Sequence, residues 1–243
     1  MSNNNEINTL INQAKSEARS ESIKKFFSKN SKVFIAIAAV VLVSFISFAA
    51  FNFYQNSQQA KFSEIFHQAL IDQQLGNMDK AKENLAKIYQ SSAPSGVKSL
   101  ASLRYAAILI NENKKSEAAD IYQKISQCSG CDSYIKDLGG LLAVKTWLSD
   151  ENEIKKDNLL TRIEKIEANS KELRYQISEQ KAFLHIRKND LSKAYAILDS
   201  ISKNPDVPQN IKARISDGLK IIIAKGYDPS AEVVQSSEDV AEK

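Results

Sequence analysis

The residues best suited to do chemistry are Cys128-Ser129-Gly130-Cys131, which hold the only two cysteines in the 243-residue chain. Thiols at this spacing can close a small-loop disulfide, act as a redox-active dithiol, supply half of a metal site, or stay reduced and inert. Redox exchange needs a thiolate stabilised at a helix N-terminus, usually in a strand–helix context, and no strand is predicted here. Two thiolates do not by themselves complete a tetrahedral zinc site. The reading carried forward is a disulfide between Cys128 and Cys131 that staples the end of one helix to the start of the next.

Little else in the chain suggests chemistry. The two histidines, His67 and His185, each fall on a predicted helix beside apolar neighbours and read as packing residues. There is no glycine-rich loop to cradle phosphate and no histidine pair at metal spacing. Acidic residues sit on polar helix faces, and Asp150-Glu151-Asn152-Glu153 reads as a solvated loop. No catalytic residue, metal, cofactor or small-molecule substrate is therefore expected. The net charge is +4, and residues 1–32 alone contribute +3, so the rest of the chain lacks the basic field that nucleic acid requires.

The elements that would position these residues begin with Val33–Tyr54, VFIAIAAVVLVSFISFAAFNFY, which has no charge, Pro or Gly. Its serines, Ser44 and Ser47, can bond back to the helix backbone. As a helix it spans roughly 33 Å, close to the ~30 Å hydrocarbon core of a bilayer. Residues 33–54 are thus expected to form a transmembrane signal-anchor. Lys15, Arg19, Lys24, Lys25, Lys29 and Lys32 precede it, whereas only Lys61 follows closely, so residues 1–32 form a basic leader expected in the cytoplasm, with the remainder exported. Ser47-Phe48-Ala49 offers a competing cleavage site, but the apolar run exceeds a usual signal-peptide core. Within the leader, Ile7, Leu10, Ile11, Ala14 and Ala18 recur at helical spacing, and Phe26 and Phe27 sit among lysines. An interfacial amphipathic helix and an unstructured leader both fit that pattern.

Residues 55–226 carry an internal repeat. Ala69 is followed twelve residues later by Ala81, Ala106 by Ala118, and Ala182 by Ala194. A turn opening on Gly76, Asn113 or Asn189 lies inside each pair, and these residue types tolerate a left-handed conformation. Asp79, Ser116 and Ser192, three residues on, are expected to cap the next helix. The second alanines are spaced by 37 and then 76 residues, so a degenerate unit is expected over 131–168. Tyr134, Leu138, Leu141 and Leu142 suggest its first helix, and Leu159, Leu160, Ile163 and Ile166 its second. Apolar stripes run through Phe62, Ile65, Phe66, Ala69 and Leu70, then Met78, Ala81, Leu85 and Ile88. Ala118, Ile121, Tyr122 and Ile125, and later Leu191, Ala194, Leu198 and Ile201, repeat them. Ile211, Ile215, Leu219 and Ile222 mark a capping helix after Pro208 that ends near Gly226. Residues 227–243 lack periodicity and are expected to be disordered.

The pattern resembles the tetratricopeptide repeat, whose small residues stand where paired helices pack closest. It departs from that repeat in period and in the register of its aromatics. The fold expected is all-α, an N-terminal transmembrane helix followed by a tetratricopeptide-like α-solenoid of helical pairs. Such solenoids expose a concave face, which Phe66, Leu70, Leu103, Ala107, Ile110, Phe183 and Ile186 could line as a shallow polypeptide groove. The same residues also read as ordinary core.

With its basic leader, single span and helical-pair domain, and with the junction KKFFSKNSKVFIAIAAVV, the chain resembles the bacterial family of ancillary Sec-translocon subunits and related uncharacterised alphaproteobacterial proteins. The resemblance implies an inner-membrane anchor, a periplasmic domain and contact with the translocon, periplasmic chaperones or exported chains. It brings no catalytic residues. The function expected is a membrane-anchored protein–protein interaction module that assists or scaffolds export and folding of envelope proteins. One rival is an envelope scaffold for cell-wall or division machinery. Another is a membrane-tethered thiol oxidoreductase using Cys128 and Cys131.

Overall fold

A computed structural model describes residues 31–230, so the readings made for residues 1–30 and 231–243 lie outside the described part. Ten helices and no strand are found among the described residues. They are α1 (Ser31–Gln74), α2 (Met78–Gln90), α3 (Ser95–Asn111), α4 (Lys115–Ser126), α5 (Ser133–Leu148), α6 (Glu151–Ile154), α7 (Leu159–Asn169), α8 (Arg174–Arg187), α9 (Leu191–Lys203) and α10 (Gln209–Ala224). The chain divides into two compact units, Met1–Ser57 and Gln58–Lys243.

The helix α1, whose residues belong to both units, is long and apolar enough to cross a membrane. Every side chain from Ala39 to Tyr54 is exposed, including Phe45, Phe48 and Phe53. The Ser44 hydroxyl donates back to the Val40 carbonyl at 2.8 Å, as its place in an apolar helix requires. The sequence ends the span at residue 54 and begins the repeat domain at 55, yet α1 runs through that boundary as one helix of 44 residues. Nothing in that stretch breaks it, because the first glycine is Gly76 and the first proline Pro94.

The second unit is built from consecutive packed helices joined by tight turns. All six marker alanines are completely buried. At each, a larger side chain would have to force the paired helices apart. Left-handed backbone occurs at Gly76 (φ 78°), Asn113 (63°), Asn189 (59°) and Gly226 (98°), the four positions read from sequence. Each lets the next N–H donate to the carbonyl five residues back: Asn77 to Asp72, Lys114 to Leu109 and Asp190 to His185 at 2.8 Å, and Tyr227 to Ile222 at 3.4 Å. Helix-end carbonyls are thereby satisfied as the chain reverses.

Some local expectations change. Asp79, Ser116 and Ser192 stand inside the first turn of their helices, and the cap positions are Asn77, Lys114 and Asp190. Of those three, Asp190 caps with its side chain, accepting from the Lys193 N–H at 3.4 Å. Met78 is half exposed rather than part of the buried stripe, whereas Ala81, Leu85 and Ile88 are fully buried. Tyr227, assigned to the tail by sequence, stacks at 4.9 Å on Tyr195.

The degenerate unit is the pair α5 and α7, with the short α6 between them. Its first helix buries Gly139, Gly140, Ala143, Val144 and Trp147, while Tyr134 is exposed. The register of the other first helices, whose marker alanine stands five residues before the helix end, is kept here by the fully buried Ala143, and the two glycines lie one turn earlier. A Cβ on Gly139 would lie 2.8 Å from Ile125, and one on Gly140 2.5 Å from an Ile166 methyl. Gly139 thus brings α5 against α4, and Gly140 brings it against α7, more closely than alanine allows. Beside them, Glu153 is buried and bonds Lys156 (2.6 Å) and Arg162 (3.2 Å), and the Arg162 guanidinium lies 3.9 Å over the Trp147 ring.

Candidate functional sites

The Cys128 and Cys131 sulfurs are at disulfide distance, with Cα atoms 5.4 Å apart. The pair closes the turn between α4 and α5. Cys128 follows the end of α4, its N–H bonding the Ile125 carbonyl at 3.1 Å. Cys131 precedes Asp132, whose carboxylate caps α5 by accepting from the Tyr134 N–H at 2.8 Å. The start of α3 holds this turn from the side. The Ser95 hydroxyl donates to the Gly130 carbonyl at 2.6 Å, and the Cys131 sulfur lies 3.8 Å from the Ser95 carbonyl oxygen. A thiolate at Cys128 would meet the partial negative end of α4, whereas Cys131 stands one residue before the cap of α5, the helix end that favours a thiolate. Closure of the turn and its tie to Ser95 fit a staple.

The disulfide also walls a cavity of about 520 Å³ between α2, α3 and α4. Ile121 and Ile125, both buried, form an apolar floor together with the Tyr89 ring. Lys98 donates to the Ser91 carbonyl at 2.6 Å, and Lys124 to the Tyr89 hydroxyl at 3.2 Å. No acidic side chain lines this cavity. Lys98 and Lys124 lie on different helices, 26 residues apart, and share this cavity only because α2, α3 and α4 pack together.

Among the seven groove candidates, Phe183 lines a second cavity, about 500 Å³, between α5, α8 and α10. Leu141 and Ile221 share it, and at its side Arg214 makes two bonds to the buried Glu179, at 3.0 and 2.5 Å. Phe66, Leu103 and Ile110 are half-buried and pack on the larger core, and Ile186 on the smaller. Leu70 is half-buried and Ala107 exposed. His67 is exposed on α1 instead of packing. His185 is buried, with Nδ1 3.2 Å from an Asp190 carboxylate oxygen.

A residue that pattern reading missed is Asp137 on α5, which is 4% exposed. Its Oδ2 accepts from the backbone N–H groups of Lys171 (2.7 Å), Glu172 (2.6 Å) and Leu173 (3.2 Å). It serves the N-terminus of α8, where Leu173 at the cap position offers no side-chain acceptor. All three bonds are to backbone N–H groups, so the carboxylate holds the segment that leads into α8.

Among the described residues no group of three or more His, Cys, Asp or Glu converges as metal ligands. No family model, curated protein or solved structure matches the chain.

Proposed function

We propose that the chain is a single-pass inner-membrane protein. In this reading it holds a tetratricopeptide-like α-solenoid in the bacterial periplasm, binds other polypeptides there, and assists or scaffolds envelope-protein export and folding near the Sec translocon. One observation carries the reading. From Ala39 to Tyr54 α1 exposes apolar side chains on all its faces, whereas the same helix buries Ala69 in a packed core further on. Exposed apolar area of that extent is stable against lipid and not against water. The +3 charge of residues 1–32 favours a cytoplasmic N-terminus. Buried alanine pairs and left-handed turns support stacked helical pairs, an architecture used for binding polypeptide. The anchor would keep weak contacts effective by holding the solenoid beside emerging chains.

A reporter active only outside the cytoplasm, fused after Lys243, is expected to be active in cells. An intact, membrane-bound but silent fusion would overturn the topology. Photocrosslinking from Phe183 is expected to capture the translocon or exported chains. Capture of division proteins alone would favour the scaffold reading.

The disulfide supplies a separate check on the oxidoreductase alternative. As a staple, Cys128–Cys131 is expected to have a reduction potential below about −300 mV, measured by equilibration with a dithiol buffer. A potential near those of catalytic oxidoreductases would favour enzymatic exchange instead.

A further inference from the structure

The cavity between α2, α3 and α4 has a character that the concave-groove reading does not use. Its floor is apolar, built from Ile121, Ile125 and the Tyr89 ring, and the Cys128–Cys131 bridge forms one wall. Two ammonium groups, Lys98 and Lys124, stand at its edge. Both are held by neutral oxygens, the Ser91 carbonyl and the Tyr89 hydroxyl, at the C-terminal end of α2. Neither lies within ion-pair distance of a carboxylate among the described residues, although Lys82, Lys114, Lys156 and Lys181 all do. The partial negative end of α2 fixes their position without cancelling their charge. The site therefore combines two uncompensated positive charges, an apolar floor and no acidic lining.

We infer that this cavity binds a polypeptide segment in which an apolar side chain is flanked by carboxylates. The apolar side chain occupies the floor, and the carboxylates complete ion pairs with Lys98 and Lys124. Charge complementarity selects the partner. An anionic membrane surface is the poorer match, because such surfaces are read by clusters of about four to eight basic residues. Two lysines flank this cavity, and residues beyond 32 carry a net charge of only +1. The inference does not depend on the export reading, and the cavity is separate from the one lined by Phe183.

The test is calorimetric titration of the full chain in an uncharged detergent with two end-capped pentapeptides, Gly-Glu-Leu-Glu-Gly and Gly-Lys-Leu-Lys-Gly. The glutamate peptide is expected to bind about tenfold tighter or more, with affinity falling as salt rises. In the double variant Lys98→Glu, Lys124→Glu the order of preference is expected to invert while the helical circular dichroism stays unchanged. Persistence of the original order in a folded double variant would overturn the inference. So would lysine-dependent binding of phosphatidylglycerol vesicles with no binding of either peptide. Phe183→Ala separates the two sites. Loss of peptide binding there, with the double variant unaffected, would leave the groove reading standing and remove this one.

Discussion

Replacing Asp137 by Ala is expected to lower the thermal midpoint of the helical domain by roughly 6–12 °C, equivalent to about 3 kcal/mol. The estimate rests on what the carboxylate does. One buried oxygen accepts three backbone N–H groups, at 2.7, 2.6 and 3.2 Å, from the segment that leads into α8. The first turn of that helix has no side-chain cap of its own. Removing the acceptor strands donors beside the buried Leu173, and each stranded donor costs about 1–3 kcal/mol where water cannot replace the bond. Because Lys171 and Glu172 are exposed, water recovers part of the loss, which keeps the total near the lower end. Asp137→Asn retains one accepting oxygen but gives up the charge and puts an NH2 group in place of the other oxygen, so its loss is expected to be about half as large. Thermal melts of the full chain in detergent, followed by helical circular dichroism, provide the measurement. A midpoint for Asp137→Ala within about 2 °C of the parent would show that the three bonds contribute little net stability.

Asp137 also marks the limit of what the sequence made legible. Where a residue acts through its own backbone, its type was sufficient. Gly76, Asn113, Asn189 and Gly226 were read as left-handed from local chemistry, and all four have positive φ. Where a residue acts through periodic packing, the pattern was sufficient as well. The three alanine pairs recur at a fixed spacing, and all six are buried. Asp137 belongs to neither class. Its partners are 34 to 36 residues away on another element, and an isolated acid in a helix gives no sign of them. Lys98 and Lys124 are similar, since their shared cavity exists only once α2, α3 and α4 are in place. Met78 failed for a different reason: it falls on the apolar stripe, but at the first position of α2 the chain has barely entered the core. The CxxC spacing left the chemistry open, and the bridge that closes the α4–α5 turn fits the staple.

Gly139→Ala is expected to destabilise the fold by about 1–2 kcal/mol and Gly139→Val by about 3 kcal/mol, although glycine is itself a poor helix residue. Two effects of opposite sign compete. Alanine in a helix interior gains about 1 kcal/mol over glycine. At Gly139, however, a Cβ would lie 2.8 Å from two Ile125 carbons and 2.9 Å from the Tyr122 carbonyl oxygen. One of those carbons is the Ile125 Cβ, which no side-chain rotation moves, and the carbonyl belongs to the α4 backbone, so both give way only if α4 moves. Overpacking of this kind typically costs about 1–3 kcal/mol, so the clash outweighs the propensity gain. Gly140 refines the comparison. There the closest atom is Cγ2 of Ile166 at 2.5 Å, and the three nearest atoms are all side-chain atoms, so Gly140→Ala is expected to be milder than Gly139→Ala. Gly96 supplies the opposite sign. It lies on α3 with nothing within 4 Å of a Cβ, and Gly96→Ala is expected to raise stability by about 0.5 kcal/mol. The three alanine variants, melted side by side, should rank Gly96, Gly140, Gly139 from most to least stable. Should Gly139→Ala prove as stable as Gly96→Ala, α4 and α5 cannot lie as close as the distances around Gly139 imply. Close approach of those two helices also sets the turn that Cys128 and Cys131 bridge, so Gly139→Ala is expected to make the disulfide easier to reduce, a change that Gly96→Ala should not produce.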